Sequence, residues 1–241
     1  MTQERPRRRA QHRGRGAGVF LRDLAVIVVV AILASFLIKT FLIRSFFIPS
    51  ESMEQTLLVN DRILVNELVP NVIPLERGDV VVFKDPGGWL DAPAPTATNP
   101  VSQAADWVLS IFGLSSQDAN DHLIKRVIGL PGDHVTCCNA LGQMSVNGTP
   151  LDEPYVLKQP GTSAVSGTSF DITVPKGDLW VMGDNRYDSK DSRYNTDTAT
   201  HGFVPIPDVV GRAFVISWPL PRWTVLSNYP DTFAGVPKGS G

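Results

Sequence analysis

Cysteine and histidine are scarce in this 241-residue chain, which holds two of the first, Cys137 and Cys138, and four of the second. Two cysteines cannot staple a disulfide-rich scaffold. Four scattered histidines give no metal-ligand spacing, so no metal site and no cofactor are expected. An excess of one charge sign is also missing: the formal net charge is −2, with charged residues at 19%. That balance hides a division. Residues 1–23 carry seven Arg against Glu4 and Asp23, a net of +5, and the remainder carries a net of −7. A basic head on an acidic body argues against a globular nucleic-acid binder. No amphipathic pattern of helical length recurs downstream of the head, and there is no internal repeat. With 20 Gly and 19 Pro, the composition favours turns and strands over a helical bundle. Hydrophobic residues at 43% exclude a fully disordered chain, and the length suffices for one large domain or two small ones.

What is present begins with an apolar run. Leu24 to Ile38 contains no charge, and the run reaches Ile43 if Lys39 is tolerated. Twenty helical residues span about 30 Å, the hydrocarbon thickness of a bilayer. Lys39, one turn from the end, can extend its ammonium to the interface. The expectation is a disordered basic tail over 1–22 and a transmembrane helix over 23–44. The Arg excess places the N-terminus in the cytoplasm, so a single pass through the cell membrane leaves the rest outside. Two other readings compete, a cleaved secretory signal and a buried core helix. The Arg-rich head is long for the first, and an all-round apolar run lacks the polar face of the second.

The body, residues 45–225, reads as strands. Val59–Val69, Asp79–Phe83, Leu123–Ile128, Phe170–Val174, Leu179–Met182 and Val209–Trp218 are short β-branched or alternating runs. Pro131-Gly132 suits a type II turn. Asn147-Gly148, between Met144–Val146 and Thr149–Leu151, signals a hairpin that also matches a glycosylation acceptor. The fold class is therefore mainly β, with antiparallel sheets following one N-terminal helix. A variable insertion is expected at about 85–120, with the apolar patch Trp107–Phe112 inside it, and a C-terminal tail over 226–241.

Three segments carry candidate chemistry. In Phe46–Leu57, Pro49 forces an extended approach, and Ser50 and Ser52 follow. Ser52 and Gln55 fit a capping box, and amides gathered at such a turn can also hold an oxyanion. In Leu123–Asp133, Lys125 shares a strand face with Leu123 and Val127, while Arg126 points the other way with Ile124 and Ile128. An edge-strand Lys guards against aggregation. A desolvated Lys instead has a lowered pKa, and at about 8 roughly a fifth is neutral near pH 7.4. Such an amine can activate a Ser hydroxyl without any His. Met182–Arg193 is rich in turn formers and charges. It reads either as a solvated loop or as a support in which Asp191 pairs with Arg193 and Ser189 or Ser192 orients an amine.

The order of these pieces resembles the bacterial type I signal peptidase family: an apolar span, Ile-Pro-Ser-x-Ser-Met, Lys-Arg-Val-Ile-Gly-Leu-Pro-Gly-Asp, then Gly-Asp-Asn-Arg and Ser-x-Asp-Ser-Arg, over about residues 24–219. The resemblance implies a membrane-anchored serine endopeptidase that removes signal peptides from secretory precursors after small residues. Ser52 would be its nucleophile and Lys125 the general base. The Ser52 amide and the Ser50 hydroxyl would form the oxyanion hole, and Ser189 would hydrogen-bond Lys125 and aim it. Asp191 and Arg193 would fix the loop whose turn Gly183, Asp184 and Asn185 shape. Phe46, Ile48, Met53, Leu57 and Ile124 would line shallow pockets for small substrate residues. Partners implied are secretory precursors, the lipid bilayer and the translocation machinery. Glu51 and Gln55 depart from the frequent Gly and Pro of the family and leave the local backbone open. Cys137-Cys138 is unlike the spaced pair of some relatives, leaving free thiols, a vicinal bridge or an intermolecular bond.

Two rivals remain at this level. A sortase-like anchored transpeptidase would use Cys137 or Cys138 with His122 and an Arg, and a non-catalytic anchored β module would only bind a partner. Neither Ser-x-x-Lys nor Lys-Thr-Gly occurs, which argues against a β-lactamase-like enzyme.

Overall fold

The computed structural model describes residues 15–90 and 121–239, and the chain forms two compact units, Met1–Leu42 and Ile43–Gly241. The first contains helix α1, Arg15–Phe41. From Val19 onward the helix has no Gly or Pro to interrupt it. Its residues 18–33 are exposed, Val26, Ile27, Val30 and Ile32 included. Among the described residues no helix is long and apolar enough to cross a membrane. The expected span over 23–44 is thus not seen as such, although helix covers most of it.

The second unit is antiparallel β throughout. Its strands are β1 (Ile43–Phe47), β2 (Arg62–Asn66), β3 (Val80–Lys84), β4 (His122–Gly129), β5 (His134–Cys137), β6 (Ser145–Val146), β7 (Thr149–Pro150), β8 (Phe170–Thr173), β9 (Asp178–Met182), β10 (Val204–Pro205), β11 (Val209–Trp218) and β12 (Thr224–Val225). Eight build a large sheet in the order β1-β2-β11-β3-β4-β9-β10, with β12 paired to β11. Four build a small one, β7-β6-β5-β8. Alternation along β3 shows why the large sheet is central. Val80 and Val82 point into one cluster with Phe46, Ile48, Ile63 and Ile216, whereas Val81 and Phe83 point into another with Val127, Leu179 and Val209. Both faces are covered, and burying each such side chain contributes roughly 1.5–3 kcal/mol. A third cluster, Ile128, Val135, Met144, Val146, Trp180 and Phe233, joins the two sheets. Because Phe46 and Ile48, from the start of the sheet, share a cluster with Ile124 of β4, the large sheet curls back on itself.

Every run read as a strand contains one. The hairpin turn has Asn147 at φ 49° and Gly148 at φ 79°, the two positive angles of a type I′ turn. Four strands were not foreseen. β1 reads in sequence as the end of the apolar run, β5 lies between turn signals, and β10 and β12 are two residues long. The capping box at Ser52 starts no helix, since residues 52–56 fold as successive turns with Gln55 at φ 90°. Residues 226–239, expected as a tail, pack on the β unit: Phe233 is buried, and the Pro237 carbonyl accepts from Arg77 and Asn147. Most of the expected insertion, residues 91–120 with the Trp107–Phe112 patch, lies outside the described residues.

Candidate active site

β4 is paired unequally on its two sides. Residues His122–Arg126 all pair with β3, but β9 joins only from Arg126 onward. Among the described residues, Leu123–Lys125 therefore have no strand partner on the β9 side. Among the described strands, β1 is the terminal one of the sheet and pairs with β2. Between these segments lies a cleft of about 150 Å³, lined by Phe46, Ile48, Pro49, Ser50, Ser52, Met53, Leu90, His122, Leu123, Ile124 and Lys125, with Phe47 at its rim.

Ser52 is delivered to this cleft by the turn that follows β1. The chain stays extended through Ile48, whose amide donates to the Asp61 carbonyl, and then turns. The Leu57 amide closes the turn on the Met53 carbonyl, and both side chains drive into the core. With Met53 and Leu57 pointing inward, Ser52 is left half-buried at the cleft. The Ser50 hydroxyl lies 3.3 Å from Ser52 Oγ.

Lys125 reaches the same point from β4, with its Nζ 2.6 Å from Ser52 Oγ. The side chain is 4% exposed. Burial, which penalises the ammonium, pushes its pKa down to about 8; nearby Asp191 and Asp184 oppose that shift and Arg193 adds to it.

The third segment forms a wall. The Asn185 amide donates to the Ser52 carbonyl at 3.1 Å. Gly183 lies so close that a Cβ there would collide with the Ser52 carbonyl and the Ser189 hydroxyl. Its amide donates to Asp191, which also receives Nε and Nη2 of Arg193, each at 2.8 Å. The Asp191–Arg193 pair is therefore present, at the start of a short 3-10 helix, Ser192–Tyr194. Ser189 differs from the expectation. Its hydroxyl is buried beside Gly183 without a hydrogen-bond partner among the described residues, so it makes no bond to Lys125. Leu57 differs too, being wholly buried in the core instead of lining the cleft. Phe46, Ile48, Met53 and Ile124 line it, joined by Leu90, His122 and Leu123.

Two buried ion pairs escaped the sequence reading. Arg126 binds Asp184 with Nε at 2.8 Å and Nη2 at 2.6 Å, and the Thr56 hydroxyl donates to the same carboxylate at 2.5 Å. Arg186 binds Glu153 with both terminal nitrogens and donates Nε to the Gly183 carbonyl. The charges alone gave a signal, since an Arg beside a Lys in an apolar strand needs a partner once buried. The partner's identity depends on tertiary contact. Cys137 and Cys138 are bridged to each other and line a separate cleft with Ser145, Ser169 and Asp171. Among the described residues there is no free cysteine for a thiol nucleophile, and no cluster of His, Cys, Asp or Glu placed to hold a metal ion.

A hydroxyl within hydrogen-bond reach of a poorly solvated amine, beside an open strand edge and an apolar cleft, is equipped for acyl transfer from an extended peptide. The comparisons agree. The model of the family "Signal peptidase, peptidase S26" matches residues 21–218. A protein named signal peptidase I from Mycobacterium tuberculosis is 40% identical over 227 residues, covering 86% of this chain and 76% of that protein. A probable signal peptidase I from Mycobacterium leprae is 38% identical, covering 84% and 78%. The signal peptidase I of Pseudomonas aeruginosa is 32% identical, covering 85% and 74%. The chain belongs to the signal peptidase family, peptidase S26.

Proposed function

We propose that Ser52 is the nucleophile and Lys125 the general base of a membrane-anchored endopeptidase that removes signal peptides from secretory precursors. Members of this family are serine peptidases acting on signal peptides, and so is this chain. The observation that carries the assignment of residues is the 2.6 Å approach of Lys125 Nζ to Ser52 Oγ with that amine buried.

A precursor enters in extended form, adding main-chain hydrogen bonds beside β1 and the open half of β4. The narrow cleft admits small side chains, so selection works by excluding bulk. Neutral Lys125 takes the Ser52 proton as Oγ attacks the scissile carbonyl. The Ser52 amide and the Ser50 hydroxyl stabilise the oxyanion, each such donor contributing about 3 kcal/mol in comparable hydrolases. Lys125 then gives its proton to the departing amine, the C–N bond breaks, and water resolves the acyl-enzyme. With a pKa near 8, roughly a fifth of the amine is neutral at pH 7.4, against about 0.1% for a free lysine.

Helix α1 is the proposed anchor, single-pass and with a cytoplasmic N-terminus. In support, its exposed aliphatic side chains at 26, 27, 30 and 32 point in several directions, leaving no polar face towards water. The β unit offers further apolar surface at one end of the large sheet. Phe47, Arg62 and Trp218 are register partners there, and Trp218, Leu220, Trp223 and Val225 are exposed, as suits a membrane interface.

Mass spectrometry of a synthetic precursor peptide after incubation tests the assignment and gives the cut position. Wild type should cleave after a small residue, while Ser52→Ala and Lys125→Ala should each lose at least about 10³-fold. Full activity in either variant overturns it.

A further inference from the structure

Arg126 follows Lys125 in sequence, is wholly buried, and has every guanidinium nitrogen engaged. Nε and Nη2 hold Asp184, and Nη2 also donates to the Thr56 hydroxyl at 3.2 Å. Nη1 donates to the Gly78 carbonyl at 2.6 Å and to the Ser227 carbonyl at 3.3 Å. Besides the C-terminal segment, four segments meet at this one side chain: the strand of Lys125, the turn of Ser52 through Thr56, the turn before β3 through Gly78, and the wall of Gly183 through Asp184. The Ser227 carbonyl adds the fifth, the C-terminal segment.

Through Tyr229, and together with Tyr155, that segment also covers the guanidinium. Its Cζ lies 4.1 Å from the ring centroid of Tyr155 and 5.3 Å from that of Tyr229, and the two rings are 5.0 Å apart. A cation over aromatic rings is attracted by their quadrupoles, most strongly when desolvated. The segment does not lean there casually. The Leu226 amide donates to the Phe214 carbonyl, Asn228 donates to Glu76, Thr232 donates to the Asp152 carbonyl, and Phe233 is buried. Gly78, at φ 86°, has no Cβ where the Asn228 carbonyl passes, so the strap lies directly against the backbone that Arg126 holds.

We propose that residues 226–239 clamp the catalytic centre, with Tyr229 as a positioning residue that acts on Lys125 through Arg126. This rests on the Ser52–Lys125 reading. Asp184 and Asp191 draw the proton onto Lys125 and Arg193 repels it; Arg126, faced by Asp184, Tyr155 and Tyr229, determines how fully the Asp184 charge is neutralised. If Tyr229 is removed, Arg126 gains freedom and Asp184 acts more strongly on Lys125. The amine then holds its proton to higher pH, and less base is available at neutrality.

The test is the pH profile of kcat/KM on the same peptide, using the full chain with Tyr229→Phe, Tyr229→Leu and Tyr229→Ala, beside the two dyad variants. Phe keeps the ring and should match wild type. Leu fills space without a π face and should fall about five- to tenfold near pH 7.5, with the acid limb moved upward and KM little changed. Ala should fall at least as far. If Ala does not fold, Leu against Phe still decides. A Leu variant with the wild-type profile overturns the clamp, as does one with a lower Tm and an unmoved acid limb. Loss of activity in Ser52→Ala and Lys125→Ala alongside that result would leave the dyad standing; retention there would remove the dyad itself.

Discussion

Lys125 and Arg126 are adjacent on β4 and equally withdrawn from solvent, yet their surroundings differ in kind. Arg126 has a bidentate carboxylate, two carbonyls, a hydroxyl and two aromatic faces, and its pKa is raised. Lys125 has a hydroxyl 2.6 Å away, and its pKa is lowered to about 8. A buried cation that is fully paired is structural, because losing the charge would cost more than keeping it. A buried cation that is under-compensated is reactive, because giving up its proton relieves the desolvation. The β pleat separates the two roles by directing neighbouring side chains to opposite faces.

The contrast breaks most severely with Lys125→Arg. That substitution keeps a donor near Ser52 but supplies a group that stays charged, so cleavage should fall by at least about 10³-fold while urea denaturation changes less. The reverse disturbance, Asp184→Asn, leaves the Arg126 charge buried and half-compensated. It should cost about 3–5 kcal/mol in a denaturation experiment, a larger stability effect than Lys125→Ala produces. The mildest probe is acid itself. With Lys125 as the proposed base the reactive form is the neutral one, so kcat/KM should rise about tenfold per pH unit up to about 8 and then level. A profile flat from about pH 6 to 9 would assign the base elsewhere.

The two cations were also unequally legible. Lys125 could be singled out because Leu123 and Val127 predict a dry face two residues either way. The hydrogen-bond partners of Arg126 come from 48 to 101 residues away, and no local period announces such contacts. Pocket residues followed the same rule. Met53 and Leu57 look alike in sequence, but the turn sends only Met53 to the cleft wall, and hydrophobicity alone does not separate lining from core. The small strands β10 and β12 are too short to carry a period. The C-terminal segment read as a tail because its attachments are mostly main-chain carbonyls and one buried Phe, which leave no compositional trace.

The half-partnered state of β4 has a consequence for the range of guests this protein can serve. Amides and carbonyls are common to all polypeptides, so a precursor docking along this border as proposed would need to share with others only slimness at the point of scission. On that reading one protein would process many unrelated exports and leave discrimination to the narrow cleft behind the border.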